Sequence, residues 1–399
     1  MKLSVGLFFI FALLVAGGLR LIPSVRQNAD SFAAANTAQE PPTNTAQEAR
    51  TKPRDFPIMG SCQPGKEAHP NKPLGINSTY AFGQEVIKTR ELLLRGDFAL
   101  LERNAQQARS TKEHLPGGRW KLHAIYDGLS DPMWEPAISR EANVAYSKLI
   151  GQLNAWRKSN PSSQTAWIAS AEAWTNWAWQ ARGTGFAHTV SDEGGQHFKS
   201  RLNQAHAYLN EAAKQSPTCP HYYAAALAIG LGLDWDDQTV EKLFQAGHQL
   251  EKNYSPIYFH YLPHLTSNWG GDKKKLASLL NRLPQLCDAE DYSLILIETT
   301  CYYVRSLAGN RYEQDSEAAR LLPQLRVSFY ELEQRYGLSY TTANKVARFA
   351  YANGDYYTSQ QIFKVLSNRR DEDVWDSEKQ FTSAKWMADT VCQHFKNHP

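Results

Sequence analysis

The chain has 399 residues, of which 42% are hydrophobic and 21% charged, enough to build a large core and too apolar to be disordered throughout. Its formal net charge of +3 comes from interspersed Lys, Arg, Asp and Glu, so there is no basic face or stripe of the kind nucleic acid requires. Five cysteines without a CxxC pair or zinc-type histidine spacing exclude a disulfide framework and a structural zinc site. They read as small buried hydrophobes, with one optional bridge if the chain is exported.

Residues 1–20 hold one lysine, the apolar run Leu7 to Val15 and then Ala16-Gly17-Gly18, the three-part pattern of a secretory signal or of a short membrane anchor. Leu14-Val15-Ala16-Gly17 looks like a lipoprotein box, but Gly18 stands where the lipid-bearing cysteine would be. The expected location is therefore exported, periplasmic or tethered to the inner membrane. Residues 21–78 read as a disordered linker and irregular lead-in, polar and rich in Ala, Thr, Gln and Pro, with Asn36-Thr-Ala-Gln-Glu duplicated at Asn44.

From residue 79 onward strand signals are poor and helical ones strong, so the fold class expected is all-α. Arg95-Gly96-Asp97-Phe98 and Gly354-Asp355-Tyr356 each read as a tight helix–helix turn, the glycine ending one helix and the aromatic covering the seam. The adhesion tripeptide spelled at Arg95 to Asp97 is read as part of that turn. Three central phrases end in Pro161, Pro217 and Pro256. Leu149, Leu153, Trp156 with Pro161, and Ala205, Leu209, Ala212 with Pro217, have tetratricopeptide offsets. Leu243, Gly247, Leu250 with Pro256 is one residue longer, and Leu276, Leu280, Leu283 are read as stopped by Pro284. Unequal proline spacing makes this a degenerate, TPR-like helical-hairpin solenoid over 79–284, continued by C-terminal helical repeats over 285–399.

Tryptophan is dense between Trp156 and Trp179. Trp167, Trp174 and Trp177 share a helical face, leaving Trp179 to point elsewhere and line a groove. Gly183 to Gln196 then interrupts the first repeat. In that insert His188 and Asp192 are four apart, as are Glu193 and His197, with Arg182 just before. A ligand-lining loop is one reading and a structural loop, with Arg182 paired to a buried acid such as Asp192, the other; the spacing is not a dedicated metal motif. Trp269-Gly270-Gly271 offers a stacking platform or a turn closed by a packed indole. The binding candidates are thus Trp179, Arg182, Gly183, His188, Asp192, His197, Trp269 and Gly270. No catalytic pair is nominated, and no GxSxG, P-loop or GxGxxG occurs.

Arg95-Gly96-Asp97-Phe98, Trp120-Lys121-Leu122, Trp179-Gln180-Ala181-Arg182-Gly183 and Trp269-Gly270-Gly271, in that order, resemble a bacterial family known only as a domain of unknown function. The resemblance spans about Glu91 to Leu283. It implies a helical fold of tetratricopeptide-like character and no activity, cofactor or catalytic residue. The expected role is a non-enzymatic scaffold binding a protein or peptide partner in the cell envelope, without cofactor or metal. The alternatives are an envelope-glycan module, or a hydrolase using the Arg182 to His197 loop.

Overall fold

The structure, a computed structural model, describes residues 62–63, 80–132, 139–183, 187–215, 218–307 and 319–397. The signal or anchor and nearly all of the linker expected over 1–78 lie outside these. Fifteen α-helices and three short 3-10 turns occur among the described residues, with no strand. The chain is all-α.

Helices α1 (Tyr80–Arg95) and α2 (Phe98–Thr111) are joined by the Gly96-Asp97 turn, and α13 (Tyr340–Ala352) and α14 (Tyr356–Leu366) by the Gly354-Asp355 turn. Both glycines adopt positive φ, 80° and 76°, the left-handed geometry an L side chain resists. Arg95 closes an ion pair with Asp97 at 3.0 Å, so the tripeptide is spent within its own turn. Phe98 stacks on the fully buried Trp156, with ring centroids 5.7 Å apart.

Between these pairs run α3 (Lys121–Ser130), α4 (Ser139–Ser159), α5 (Gln164–Arg182), α6 (Asp192–Ala213), α7 (His221–Gly232), α8 (Asp237–Leu250), α9 (Ser255–Tyr261), α10 (Lys273–Leu286), α11 (Ala289–Leu307) and α12 (Leu322–Tyr336). α15 (Glu378–Asn397) follows. Side chains dictate the ends. Ser163, Ser191, Asp236, Asp272, Ser339 and Asp355 each accept a backbone N–H of the first turn they precede. Ser191, followed by Asp192 and Glu193, begins α6 so early that Asp192 to Gln196 are helical, where the sequence reading has an insert.

Leu149, Leu153 and Trp156 on α4, and Ala205, Leu209 and Ala212 on α6, are buried as their offsets require. The third phrase departs: Leu250, the last apolar residue of α8, is 41% exposed. Pro284 does not stop its helix, because α10 continues to Leu286. A proline in the final turn forfeits one intrahelical hydrogen bond, and burial of Leu276, Leu279, Leu280 and Leu283 along the same stripe outweighs that loss.

The helices pack in two ranks. The odd-numbered ones touch in series, α1 on α3, α3 on α5, α5 on α7, α7 on α9, α9 on α11 and α11 on α13, while α4, α6, α8 and α10 pack chiefly on their odd neighbours. The odd rank also meets its own beginning. The loop between α2 and α3 crosses to α11 and α12: Trp120 Nε1 donates to Asp291 Oδ1 at 2.9 Å, His114 Nε2 lies 2.7 Å from the same oxygen, and Gly117 N–H donates to the Tyr336 carbonyl at 3.1 Å. Gly118 carries φ 83°, and a Cβ there would stand 2.7 Å from Leu332 Cδ1, so this crossing needs glycine. Cys62 and Cys392 are bridged, tying residue 62 to α15 across 330 positions, whereas Cys219, Cys287 and Cys301 are buried free thiols.

Asp291 is 2% exposed and receives two donors from the crossing loop. Replacing it with Ala strands a buried indole N–H and an imidazole. Asp291→Ala is expected to cost about 3 kcal/mol, read as a lowered urea midpoint with unchanged slope. Asn at this position should recover part of the loss, because it keeps an acceptor.

Candidate functional site

The odd rank carries polar residues on the surface its members enclose. α3 presents His123 and Asp127, with Asp131 one further turn on, an i, i+4, i+8 stripe through an otherwise apolar helix. α5 presents Glu172 and Asn176 at i, i+4, Glu172 being the one acidic residue of that 19-residue helix. His221 opens α7, and His260 lies on α9.

Glu172 sits at the centre. His221, wholly buried, places Nε2 2.9 Å from Glu172 Oε2 and Nδ1 2.7 Å from the Tyr254 hydroxyl. Its ring stacks flat on Tyr126 at 3.9 Å, and the Tyr126 hydroxyl lies 3.3 Å from Cys219 Sγ. Asn176 Nδ2 donates to the Ser130 carbonyl and hydroxyl, both at 3.3 Å. At the other side of Glu172, Asp127 Oδ1 is 3.4 Å from His123 Nε2. Arg119 spans from Glu298 on α11 (3.6 Å) to the rings of Phe82 and Phe259, each 5.8 Å from its guanidinium carbon. Lys345 of α13 in turn pairs with Glu298.

Asp127 keeps 30% of its side-chain surface and His260 is half-buried, although both feel the enclosed Glu172. The inner surface of the odd rank is therefore a recess that solvent enters, not a sealed core. Its electrostatics separate the two carboxyls. Burial first, and then repulsion from Glu172, pushes Asp127 well above the usual carboxylate range. Burial also works against a charged Glu172, but His221 and a hydrogen bond from Ser130 outweigh it and hold Glu172 below its ordinary value. Burial, with Arg119 and His221 adding to it, pulls His123 well down, and burial brings His260 to about 4. Near neutral pH the recess thus holds an ionised Glu172 beside a protonated Asp127 and neutral imidazoles at 123 and 260. Pairs of carboxyls driven apart in this way mark functional sites more often than chance.

The residues singled out from the sequence fall elsewhere. Trp179, Arg182, Gly183 and Trp269 come together: the Arg182 guanidinium lies 5.5 Å from the Trp179 ring, 5.9 Å from Phe198 and 5.7 Å from Trp269. Trp179 is wholly buried, whereas Trp167, Trp174 and Trp177 are the half-buried face of α5, the reverse of the groove expected at Trp179. Trp177 is covered by Arg201, 3.9 Å from its ring. Arg182 donates to the Gly183 carbonyl at 3.3 Å, and burial lowers its pKa. Asp192 is exposed in the first turn of α6 and is not a buried partner for Arg182. His188 is exposed on the Ala187–Thr189 turn, and His197 pairs with Glu193 at 3.5 Å on the surface of α6, so the two histidines occupy separate elements. Gly270 is an exposed left-handed residue after the 3-10 turn ending at Trp269. An open depression of about 720 Å3 along α10, lined by Lys273, Lys274, Arg282 and Arg320, has only exposed polar side chains and reads as a solvated face.

Among the described residues no group of three or more His, Cys, Asp or Glu is arranged to hold a metal. None of the described helices is long and apolar enough to cross a membrane.

Residues 85–217 match the family model described as "Domain of unknown function (DUF4034)". Of the four sequence motifs, those at Arg95, Trp120 and Trp179 fall inside that segment and Trp269 outside it. The segment also contains Asp127, Glu172 and Asn176, while His221 and His260 follow it. No curated protein and no solved structure matches the chain.

The raised pKa of Asp127 has a sign that can be checked. An acid that binds its proton more tightly when folded loses stability as pH rises from its unfolded value, about 3.9, through its folded one. Asp127→Asn should therefore melt higher than wild type at pH 7. The gap should close below about pH 4, where the unfolded acid is protonated too. Equal melting temperatures at pH 7 would show that Asp127 is ionised at no cost.

Proposed function

We propose that this chain is a non-enzymatic binding scaffold of the cell envelope, a tetratricopeptide-like helical array that takes a partner segment on the inner surface of its odd-numbered helices. The single observation carrying this reading is that α3, α5, α7, α9 and α11 aim polar side chains at one solvent-entered recess. A solenoid used only as a spacer has no reason to bear the desolvation of Glu172, Asp127 and three imidazoles there. Arrays of helical pairs bind through such enclosed surfaces because each repeat contributes a residue or two to a continuous lining.

Export is supported by the Cys62–Cys392 bridge, since structural disulfides persist in oxidising compartments and are rare in reducing ones. Denaturing cells directly into a maleimide reagent reads this out. Envelope-located protein should take up label at three of its five cysteines, Cys219, Cys287 and Cys301, and at all five only after reduction. Five labelled thiols without reductant would place the chain in a reducing compartment.

The binding surface is tested by site-specific photocrosslinking in intact cells. A benzophenone side chain at Phe259, half-buried beside Arg119, is expected to yield a discrete adduct. The same group at Val144, 65% exposed on α4, should yield none. Adducts from position 144 alone would move the partner to the outer rank and end this reading.

A further inference from the structure

The chemistry of the recess names what it would hold. Around Asp127 stand His123, Arg119 and Asp131 from its own segment, Arg90 from α1, Glu172 from α5, His221 from α7 and His260 from α9. Three carboxyls, Asp127, Asp131 and Glu172, face two guanidiniums, and one of those, Arg119, is shared with Glu298 on α11, itself paired to Lys345 of α13. Counting those two as well gives four acids against three bases, one negative charge more than the bases supply.

Two further observations come from groups that carry no charge. Asn176, 7% exposed, spends both N–H bonds on Ser130 and leaves Oδ1 buried without a partner. His123, 9% exposed, has Nε2 beside Asp127 and leaves Nδ1 buried without a partner. Buried polar atoms are almost always satisfied, so two orphans flanking Asp127 and Glu172 indicate a group that belongs between them. Orphaned Oδ1 and surplus carboxylate oxygens both call for N–H donors carrying positive charge. An anion would meet Glu172, and a polyol would leave the charge excess in place.

We propose that the recess binds an alkylammonium group, that of a free amine or of a lysine side chain on a partner, with Asp127 as its counter-ion and Glu172 and Asn176 as flanking acceptors. In the empty recess a proton on Asp127 supplies the missing positive charge. The ammonium replaces it: Asp127 loses its proton to solvent as the ligand's N–H bonds form, and charge is conserved. This rests on the reading of the inner surface as the binding face and specifies its ligand.

The test is calorimetric titration of the intact, disulfide-bonded protein in two buffers of different ionisation enthalpy, which counts protons released. The probes are 1,4-diaminobutane, the peptide acetyl-Gly-Lys-Gly-amide, and the same peptide acetylated on the lysine. Saturable binding of an amine probe with release of up to one proton per ligand is expected, with no binding of the acetylated peptide. Asp127→Asn should weaken binding at least tenfold, about 1.4 kcal/mol, and abolish the release, its melting curve confirming that it folds. Binding by the diamine alone assigns a free amine as ligand, and binding by the lysine peptide alone assigns a partner's side chain. No saturation by either amine at about 10 mM, weaker than any useful affinity, would overturn the proposal. So would equal binding of the acetylated peptide or an unchanged affinity in Asp127→Asn. If the Phe259 crosslink persists while both amines fail, the binding face stands and the ammonium does not.

Discussion

A carboxylate at position 291 decides the shape of this protein. Stacked helical pairs can be added without limit, and left to itself such an array makes an open curve. Here the loop before α3 is drawn across to α11 and α12 because Asp291, desolvated, needs donors and finds Trp120 Nε1 and His114 Nε2. The contact is tight enough to require glycine at 118 and aromatic enough to stack His114 on Tyr336 at 4.7 Å. Once it forms, the early odd helices and α11 face one another, and a surface becomes a recess.

The recess in turn explains an electrostatic arrangement that would be wasteful on an open face. A carboxylate in water has its ordinary pKa and does nothing to its neighbours beyond the screening length. Enclosed between α3, α5 and α9, Glu172 is held charged by His221, and that charge keeps a proton on Asp127. The network runs outward from there through Arg119 and Glu298 to Lys345, so each rank member from α3 to α13 supports the polarity of the next. Trp179, beyond Asn176 on the same face of α5, ends that polar line in an aromatic cluster with Phe198, Trp269 and Leu231.

Helix periodicity reports which residues share a face, and it does so correctly for Trp167, Trp174 and Trp177. It cannot report which face its neighbours will cover. That is why the trio is half-exposed while Trp179, set apart on the wheel, is wholly buried. The same limit hid the recess. Glu172 as the lone acid of an alanine- and tryptophan-rich helix, and the His123, Asp127, Asp131 stripe, were visible as oddities. Without partners, each reads as a polar residue turned to solvent. The His188 to His197 segment drew attention because its polar residues are adjacent in sequence, yet they lie on a 3-10 turn and on the exposed side of α6.

The amino-acid sequence by itself determined the helical class and most joints. Gly96 and Gly354 with their following aspartates turn the chain, Ser163 and Ser339 start helices, and apolar offsets on α4 and α6 choose the inward face. These are local matters, settled by φ preferences and by hydrogen bonds within a few residues. Only the tertiary structure decided that Asp127 meets Glu172, that His221 arrives between Glu172 and Tyr254, and that the loop before α3 closes on Asp291. Those meetings join residues from tens to well over a hundred positions apart, and their energies arise from desolvation, which exists only once the surrounding helices have packed.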